Sequence, residues 1–257
     1  MDDVVDNINR RTYARPSVVR CYDELNLVLK PEAAILERLH DQIKEKRLLD
    51  IGFGGGRTTK LLLDISDDYV GIDYTPALVE AAKKKFPHAN LMCADARNLS
   101  RFDDESFDFV LFSFNGIDYM NHRDRLLALN DIHRVLKKGG HFAFSTHNRD
   151  FRDFNKQPWQ QQTRRDSAFI KSSVYALIFL PRHLALKRHE VRTDEYAIIN
   201  DNAHNFSLFT YYITIRQQRA QLERTGFSEI DAYDMDGKIV DDDEDCPWIY
   251  FLARKSS

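Results

Sequence analysis

A glycine-rich segment carries the most informative chemistry in this chain. Asp50-Ile51-Gly52-Phe53-Gly54-Gly55-Gly56-Arg57-Thr58-Thr59 reads as a short buried strand breaking into a tight turn before a helix. Glycines there let a ligand approach the backbone closely at a helix N-terminus. The spacing departs from the dinucleotide fingerprint G-x-G-x-x-G, because Arg57 holds the third glycine position. It fits acid-x-Gly-x-Gly-x-Gly instead, with Asp50, Gly52, Gly54 and Gly56. A carboxylate at that point suits a ligand with a cationic amino group better than a pyrophosphate. Asp73 closes the following strand, where a carboxylate can accept both hydroxyls of a ribose. Asp95 closes a third strand beside Cys93 and Ala96, a position from which an exocyclic adenine amine is read. One such acid alone would be an ordinary helix cap. Three acids at the carboxyl ends of three successive strands border the crevice where open α/β sheets bind ligands.

The elements that must position these residues alternate along the chain. Pro31 opens a helix whose apolar face is Ala33, Ala34, Ile35, Leu36, Leu39 and Ile43. Leu48-Leu49-Asp50-Ile51-Gly52, Tyr69-Val70-Gly71-Ile72-Asp73, Leu91-Met92-Cys93-Ala94-Asp95, Phe107 to Phe114 and His141 to Thr146 read as buried strands. Helices are expected from Thr58 to Leu63, from Pro76 to Lys85 and from Arg123 to Leu136. The last of these stops at the basic turn and glycines of Lys137-Lys138-Gly139-Gly140. Strands buried on both faces, with helices between, imply a doubly wound, mostly parallel α/β sheet. Beyond Asn148 the alternation breaks. From 149 to 192, Arg149, Arg152, Lys156, Arg164, Arg165, Lys171, Arg182, Lys187, Arg188 and Arg192 face only Asp150, Asp153, Asp166 and Glu190. We read a basic cap insertion over the sheet, reaching to about Tyr212, with an apolar, basic-ended helix in Ser173–Lys187. A helix from Ile215 to Arg224 and strands at Phe227–Tyr233 and Trp248–Arg254 follow.

Composition bounds the functional class. The 257 residues are 43% hydrophobic and 30% charged, enough for one sizeable core, and the net charge is −3. That balance argues against a protein that grips nucleic acid by its phosphates. Cys21, Cys93 and Cys246 are odd in number and far apart, fitting neither a disulfide framework nor a zinc site, so no metal is expected. They suit a reducing cytoplasm. No apolar run approaches membrane-spanning length and Met1-Asp2-Asp3 begins no signal peptide. The expectation is a soluble, cytoplasmic protein without stable membrane insertion.

From Leu48 to Asn148 the sequence resembles the class I S-adenosylmethionine-dependent methyltransferases, most nearly their bacterial small-molecule branch. The resemblance rests on Leu49-Asp50-Ile51-Gly52 through Gly56-Arg57-Thr58-Thr59 and on Tyr69-Val70-Gly71-Ile72-Asp73. It rests also on Phe107-Asp108-Phe109-Val110 with Phe114-Asn115-Gly116, and on Arg134-Val135-Leu136-Lys137-Lys138-Gly139-Gly140. It implies a Rossmann-like seven-stranded sheet whose last strand runs antiparallel, with S-adenosyl-L-methionine as cofactor and S-adenosyl-L-homocysteine as product. Asp50, Gly52, Gly54 and Gly56 would serve the methionine end. Asp73 would take the ribose, with Tyr74 flanking the adenine, and Asp95 and Ala96 would read the adenine amine. Ser113 would border the methionine part near the methyl, and Tyr13 with Tyr22 would close as a lid. One methyltransferase domain is then expected over 1–257: a lid at 1–30, a cofactor core at 31–148, a substrate cap at 149–212, and a last helix and strand pair at 213–257.

Methyl transfer is an in-line displacement, so the protein must align a nucleophile, desolvate it and, for a hydroxyl or ammonium, remove a proton. The bases at the carboxyl end of the sheet are Asp118, Tyr119 and His122, and His147 with Asn148; imidazole suits proton abstraction near neutral pH. His147, Asp118 and Tyr119 are the catalytic candidates. The basic cap suits an anionic acceptor or a phosphate-bearing sugar. His204, Tyr211 and Tyr212 are candidates for the same pocket, and Ser173–Lys187 either packs on the sheet or touches a lipid surface. Asp241–Asp245 has no calcium-loop spacing. The expected activity is methyl transfer to oxygen or nitrogen of a small acceptor. Two alternatives are a nicotinamide-dependent oxidoreductase, opposed by Arg57 and Asp95, and a cofactor-binding module without turnover.

Overall fold

The first strand, β1 (Leu48–Ile51), is buried at every residue, as are β2 (Tyr69–Asp73) and all but one residue of β4 (Phe107–Phe112). Such strands need apolar cover on both faces, which is why they read as continuous hydrophobic runs. The computed structural model describes residues 2–156, 160 and 167–256. On one face, Leu49, Ile51, Val110, Phe112, Phe142 and Phe144 pack with helices α6 (His122–Val135) and α8 (Ile215–Thr225). On the other, Leu48, Tyr69, Phe109 and Leu111 pack with α3 (Lys30–Ile43), α4 (Thr59–Leu63) and α5 (Pro76–Lys85).

Strands β3 (Asn90–Cys93), β2, β1, β4 and β5 (Leu136–Asn148) run parallel in that order. Then β11 (Trp248–Lys255) lies antiparallel between β5 and β9 (Phe227–Tyr233). These are the seven strands implied by the resemblance, with the reversal at the last one. The sheet has eleven strands among the described residues, however. Two-residue β10 (Ile239–Val240) extends the β9 edge. Strands β6 (Val191–Arg192), β7 (Tyr196–Ile199) and β8 (Thr210–Ile213) form an antiparallel meander inside the basic segment.

The meander joins the sheet because β5 is thirteen residues long. Strand β4 ends opposite Phe144, and β8 pairs with β5 further on, at His147 and Asn148. His147 is thereby held between Tyr212 of β8 and Trp248 of β11. One boundary differs from the sequence reading. Helix α6 stops at Val135 and β5 starts at Leu136, pairing with Phe107 before a register shift, so Lys137–Gly140 belong to the strand. Cross-strand pairing outweighs the helix-stop signal of the glycines.

The N-terminal helix α1 (Asp2–Tyr13) sits on the meander, and α2 (Pro16–Asp23) packs against α5. Val5 joins Ile198, Phe209, Tyr211 and Ile213 in one cluster. Asn9, only 1% exposed, donates to the carbonyls of Tyr119 and Phe209 (2.9 Å each) and accepts from the Phe209 amide (2.8 Å). The largest fully buried side chain among the described residues is Arg125, 0% exposed, on α6. Its five N–H donors go to Asp118 (2.6 Å), the Ile117 carbonyl (3.2 Å), Thr146 (3.1 Å), Gln218 (2.7 Å) and Gln221 (3.2 Å). Its guanidinium lies 4.4 Å from the Tyr211 ring centre. Removing one partner of a fully buried ion pair leaves the other charge uncompensated. Arg125→Ala should therefore destabilise the fold by about 3–5 kcal/mol, read as a lowered urea midpoint with an unchanged slope.

Candidate active site

Where β1 ends, the chain turns through Gly52 and Gly54 at φ +68° and +59°. A side chain at Gly54 would be strained by that backbone, yet it would meet no atom within 4 Å, because the residue faces an open cleft. The cleft is lined by the loop (Gly52 to Gly55, Arg57), by Asp73, Tyr74, Asp95 and Ala96, by Ser113, Phe114 and Tyr119, and by Tyr13 and Tyr22 from the N-terminal helices. Most residues proposed for a cofactor thus border one crevice at the carboxyl ends of β1, β2, β3 and β4.

Two do not. Asp50 is 1% exposed beneath the loop, accepting from Thr58 (2.7 Å) and the Tyr69 hydroxyl (3.0 Å) through one oxygen. Its other oxygen is buried with no hydrogen-bond partner. Asp50 braces the glycine turn from behind instead of lining the cleft. Gly56, at φ +90°, would drive a side chain into the Phe86 ring at 2.5 Å, so its glycine serves helix packing.

Each remaining acid has local work. Asp73 accepts the Gly54 amide (3.0 Å) on one oxygen and the Thr75 amide (2.7 Å) on the other, which ties the glycine turn to β2. Burial pushes its carboxyl up, against those two amides. Asp95 is gripped in fork geometry by Arg97 (2.9 and 2.7 Å) and also by Arg10 of α1. Arg10 in turn lies 5.0 Å from the Tyr74 ring centre and bonds Asp6 (2.8 Å). Arg97 reaches Asp6 (3.0 Å) and Asp124 (2.5 Å). Asp95 is thus the centre of a two-arginine, three-acid cluster. The sequence reading did not identify Arg10 or Arg97, and no motif marks either. Ser113 likewise bonds Glu32, Arg57 (3.1 Å) and Tyr250 (3.1 Å); Arg57 forks onto Glu32 at 2.6 Å through each nitrogen. The residue that breaks the dinucleotide fingerprint therefore supports the floor of the cleft. Glu32 was visible only as a first-turn acid of α3.

Aromatic rings close the top. Tyr13 stands 5.2 Å from Tyr119, 5.5 Å from Tyr22 and 6.0 Å from Tyr74. Burial pushes the hydroxyls of Tyr13, Tyr22 and Tyr119 up, so they remain protonated phenols. His204 lies 6.0 Å from Tyr22 and 6.4 Å from Tyr13, with burial lowering its pKa. Tyr119 is thus a wall of the cleft, and its protonated phenol is poorly suited to be the base.

Next to this wall stands His147. Its Nδ1 is 2.7 Å from Asp118, and its own backbone N–H donates to the same carboxylate oxygen at 2.7 Å. Asp118, 0% exposed, also accepts from Thr146 (2.6 Å) and Arg125 (2.6 Å). With Nδ1–H committed to Asp118, Nε2 carries the lone pair and lies 3.4 Å from the Asn115 amide nitrogen. Asn115 itself is 1% exposed and its carbonyl oxygen has no partner. Asp118 is too enclosed to meet a substrate and orients the imidazole. The other sequence candidates lie elsewhere. His122 bonds Tyr211 (2.8 Å) and stacks on Tyr196, and Asn148 caps the Glu244 carbonyl (2.7 Å). Tyr211 is buried under Arg125, whereas Tyr212 bonds Asp201 (2.8 Å) 5.1 Å from the His147 ring. Asp242 and Asp245 are ion-paired with Arg219 and Arg152. Among the described residues, no cluster of three or more His, Cys, Asp or Glu is placed to hold a metal. Arg164 and Arg165 of the basic segment lie outside the described residues.

The fold is similar to that of solved S-adenosylmethionine-dependent methyltransferases. Residues 49–144 match the family model described as "Methyltransferase domain". A demethylmenaquinone methyltransferase of Staphylococcus haemolyticus is 32% identical over 131 residues, covering 46% of this chain and 53% of that protein. The chain spans about half the length of that curated relative. Two solved structures are similar in fold over nearly their whole length, each with TM-score 0.62. One is an S-adenosylmethionine-dependent methyltransferase from Clostridium acetobutylicum (15% identity, 94% of this chain, 98% of that one). The other is the 1,6-didemethyltoxoflavin-N1-methyltransferase of Burkholderia thailandensis with bound 1,6-didemethyltoxoflavin and S-adenosylhomocysteine (13% identity, 100% and 91%).

Burial pushes the Asp50 carboxyl up to about 7 from an ordinary 3.8. The folded state then keeps a proton that the unfolded chain releases. Ligand-free stability should fall as pH rises from about 4 to about 7, by at most about 4 kcal/mol from this group. Urea unfolding across that window should show a shallower decline in Asp50→Asn, and an unchanged slope would remove Asp50 from the account.

Proposed function

We propose that this chain transfers the methyl group of S-adenosyl-L-methionine to oxygen or nitrogen of a small acceptor, releasing S-adenosyl-L-homocysteine. The carrying observation is the His147–Asp118 pair, 2.7 Å apart, directly behind the Tyr119 wall of a cleft whose loop and strand-end acids suit an adenosine. The residues fit that cofactor. Asp73 presents a buried carboxylate for the ribose hydroxyls, Tyr74 an adenine wall, Asp95 and Ala96 the amine-reading edge, and Gly52 and Gly54 bare backbone for the methionine part. The bound cofactor supplies a methyl group on a positively charged sulfur. His147 removes the acceptor's proton through Nε2. Buried Asp118, fixed by Arg125 and Thr146, holds the ring in the right tautomer and stabilises it once protonated. Tyr13, Tyr22 and Tyr119 exclude water. In this reading residues 1–30 form the lid and 149–212 the substrate cap.

The acceptor in this reading is anionic or sugar-like. Much of the cap's charge is neutralised: Arg152 pairs with Asp245, Lys156 with Asp153 and Arg192 with Glu190. Arg15 and Arg182 instead converge on the Ser207 hydroxyl at 2.9 and 2.6 Å, and among the described residues no carboxylate pairs with either. Two guanidiniums brought together beside His204 at the cleft rim form a receptor for a carboxylate or phosphate. The acceptors in the relatives' names, demethylmenaquinone and 1,6-didemethyltoxoflavin, support a small molecule over a nucleic acid. Three unbridged cysteines support a reducing, cytoplasmic setting. No described helix is long and apolar enough to cross a membrane.

Calorimetric titration with S-adenosylmethionine, S-adenosylhomocysteine and, as control, NAD(P) tests the cofactor. Binding of the first two alone is expected, and a folded protein that binds neither sinks the reading. Asp73→Ala should weaken S-adenosylhomocysteine binding by about 1–3 kcal/mol, measured in the same titration. In a screen of anionic and sugar-like acceptors, His147→Gln should lower turnover about 100- to 10,000-fold while leaving S-adenosylhomocysteine affinity unchanged. Equal turnover by the variant would assign the proton transfer elsewhere.

A further inference from the structure

The longest helix of the chain leaves its apolar side in water. Helix α7 (Ser167–Leu186) is twenty residues long. Of the nine large apolar side chains exposed among the described residues, four belong to it: Val174 (51%), Leu177 (58%), Ile178 (60%) and Leu184 (62%). Their spacing places them on one face, together with exposed Pro181. The other side anchors the helix. His183 is buried against Asn200 (3.1 Å) and lies 4.7 Å from the Phe206 ring, and Phe179 and Leu180 are half-buried. A contiguous exposed apolar stripe of this kind marks an interaction surface.

Charge selects what covers it. From Ser167 to His189 the sequence contains Lys171, Arg182, Lys187 and Arg188 and not one Asp or Glu, in a chain whose net charge is −3. Lys187 and Arg188 are exposed at the end of the helix, just past the apolar stripe. A second copy of the chain docked through the same face would bring like charges together with no acid on the segment to offset them. A surface of anionic headgroups over hydrocarbon meets both features: the apolar stripe enters the acyl boundary while the lysine and arginine stay with the headgroups. The helix does not meet the requirements for spanning.

We propose that α7 docks this protein in the plane of an anionic lipid surface through Val174, Leu177, Ile178 and Leu184, with Lys187 and Arg188 on the headgroups. Docking there brings the bilayer beside the acceptor entrance. From the same helix Arg182 reaches Ser207, and the turn holding Ser207 carries His204 to the rings of the cleft. That turn runs through three successive left-handed residues, His204, Asn205 and Phe206, at φ 45°, 60° and 55°. Asn200 pins it through the carbonyls of Phe206 (3.1 Å) and Leu208 (2.7 Å).

Co-sedimentation of the full chain with vesicles of phosphatidylcholine, alone or with about one quarter phosphatidylglycerol, tests this. The expected result is binding to the anionic vesicles only, weakening as salt rises, and at least about tenfold weaker in Leu177→Glu/Ile178→Glu. Both residues are exposed, and S-adenosylhomocysteine titration of the variant should match the unaltered protein, showing an intact cleft. Absence of binding to anionic vesicles overturns the proposal, as does equal binding by the variant. A dimer in sedimentation velocity that the same substitutions dissolve, without vesicle binding, gives the face to a second copy and overturns it too. Failure to bind S-adenosylhomocysteine would sink the methyltransferase reading while leaving the vesicle result to stand by itself.

Discussion

The buried carboxylate of Asp118 organises the carboxyl end of the sheet around His147. It sits in a short turn, Gly116–Tyr119, after β4, and has no contact with solvent. A carboxylate in such a place is tolerable only if every lone pair is used and a counter-charge is close. Arg125 supplies the charge from α6, Thr146 and the His147 amide supply hydrogen bonds from β5, and Gln218 and Gln221 of α8 complete the arginine's shell. One ion pair therefore locks a turn, two helices and a strand into a single geometry. The remaining oxygen direction holds the imidazole of His147. Because Asp118 is held on all sides by these partners, the imidazole is oriented before any substrate arrives.

The cofactor side shows a different economy. The glycine turn is held by Asp73 in front and braced by Asp50 behind, so two acids of the motif do opposite things. Asp73 faces the cleft with its oxygens on backbone amides, a geometry that also suits hydroxyl groups. Asp50 pays for burial with a raised pKa and one unpaired oxygen. Beyond β3 Asp95 is crowded by Arg10 and Arg97, and Arg10 comes from the N-terminal helix. Through Asn9 and Arg10, α1 is bonded both to the meander and to the cofactor edge. Movement of this helix would open the crevice at the adenine end.

Much of this was legible in the chain itself. Strands buried on both faces declare themselves as apolar runs, and the turn after β1 requires glycine where φ is positive, so Leu48–Gly56 was readable without coordinates. Asp73 followed from the same register, since it ends a strand that pairs in parallel with its neighbours, whereas β3 stops at Cys93 and Asp95 lies two residues past it instead of closing the strand. The three added cap strands were not legible. Strands β6 and β7 are two and four residues long, and β8 is fixed by a two-residue pairing with the overhang of β5, which no periodicity announces.

What the sequence determined by itself is the local part: the α/β alternation, the glycine turn, the acids at strand ends and the presence of His147 near a strand terminus. Only the tertiary structure decided which of these residues act together. Asp50 and Asp73 look alike in a motif, but one lies under the loop and the other borders the cleft. Asp118 and His147 are twenty-nine residues apart, and Arg125 finds Gln218 across ninety-three. Burial, hydrogen-bond partners and charge pairing are properties of neighbours in space, and the chain sets those neighbours only when the whole sheet has closed.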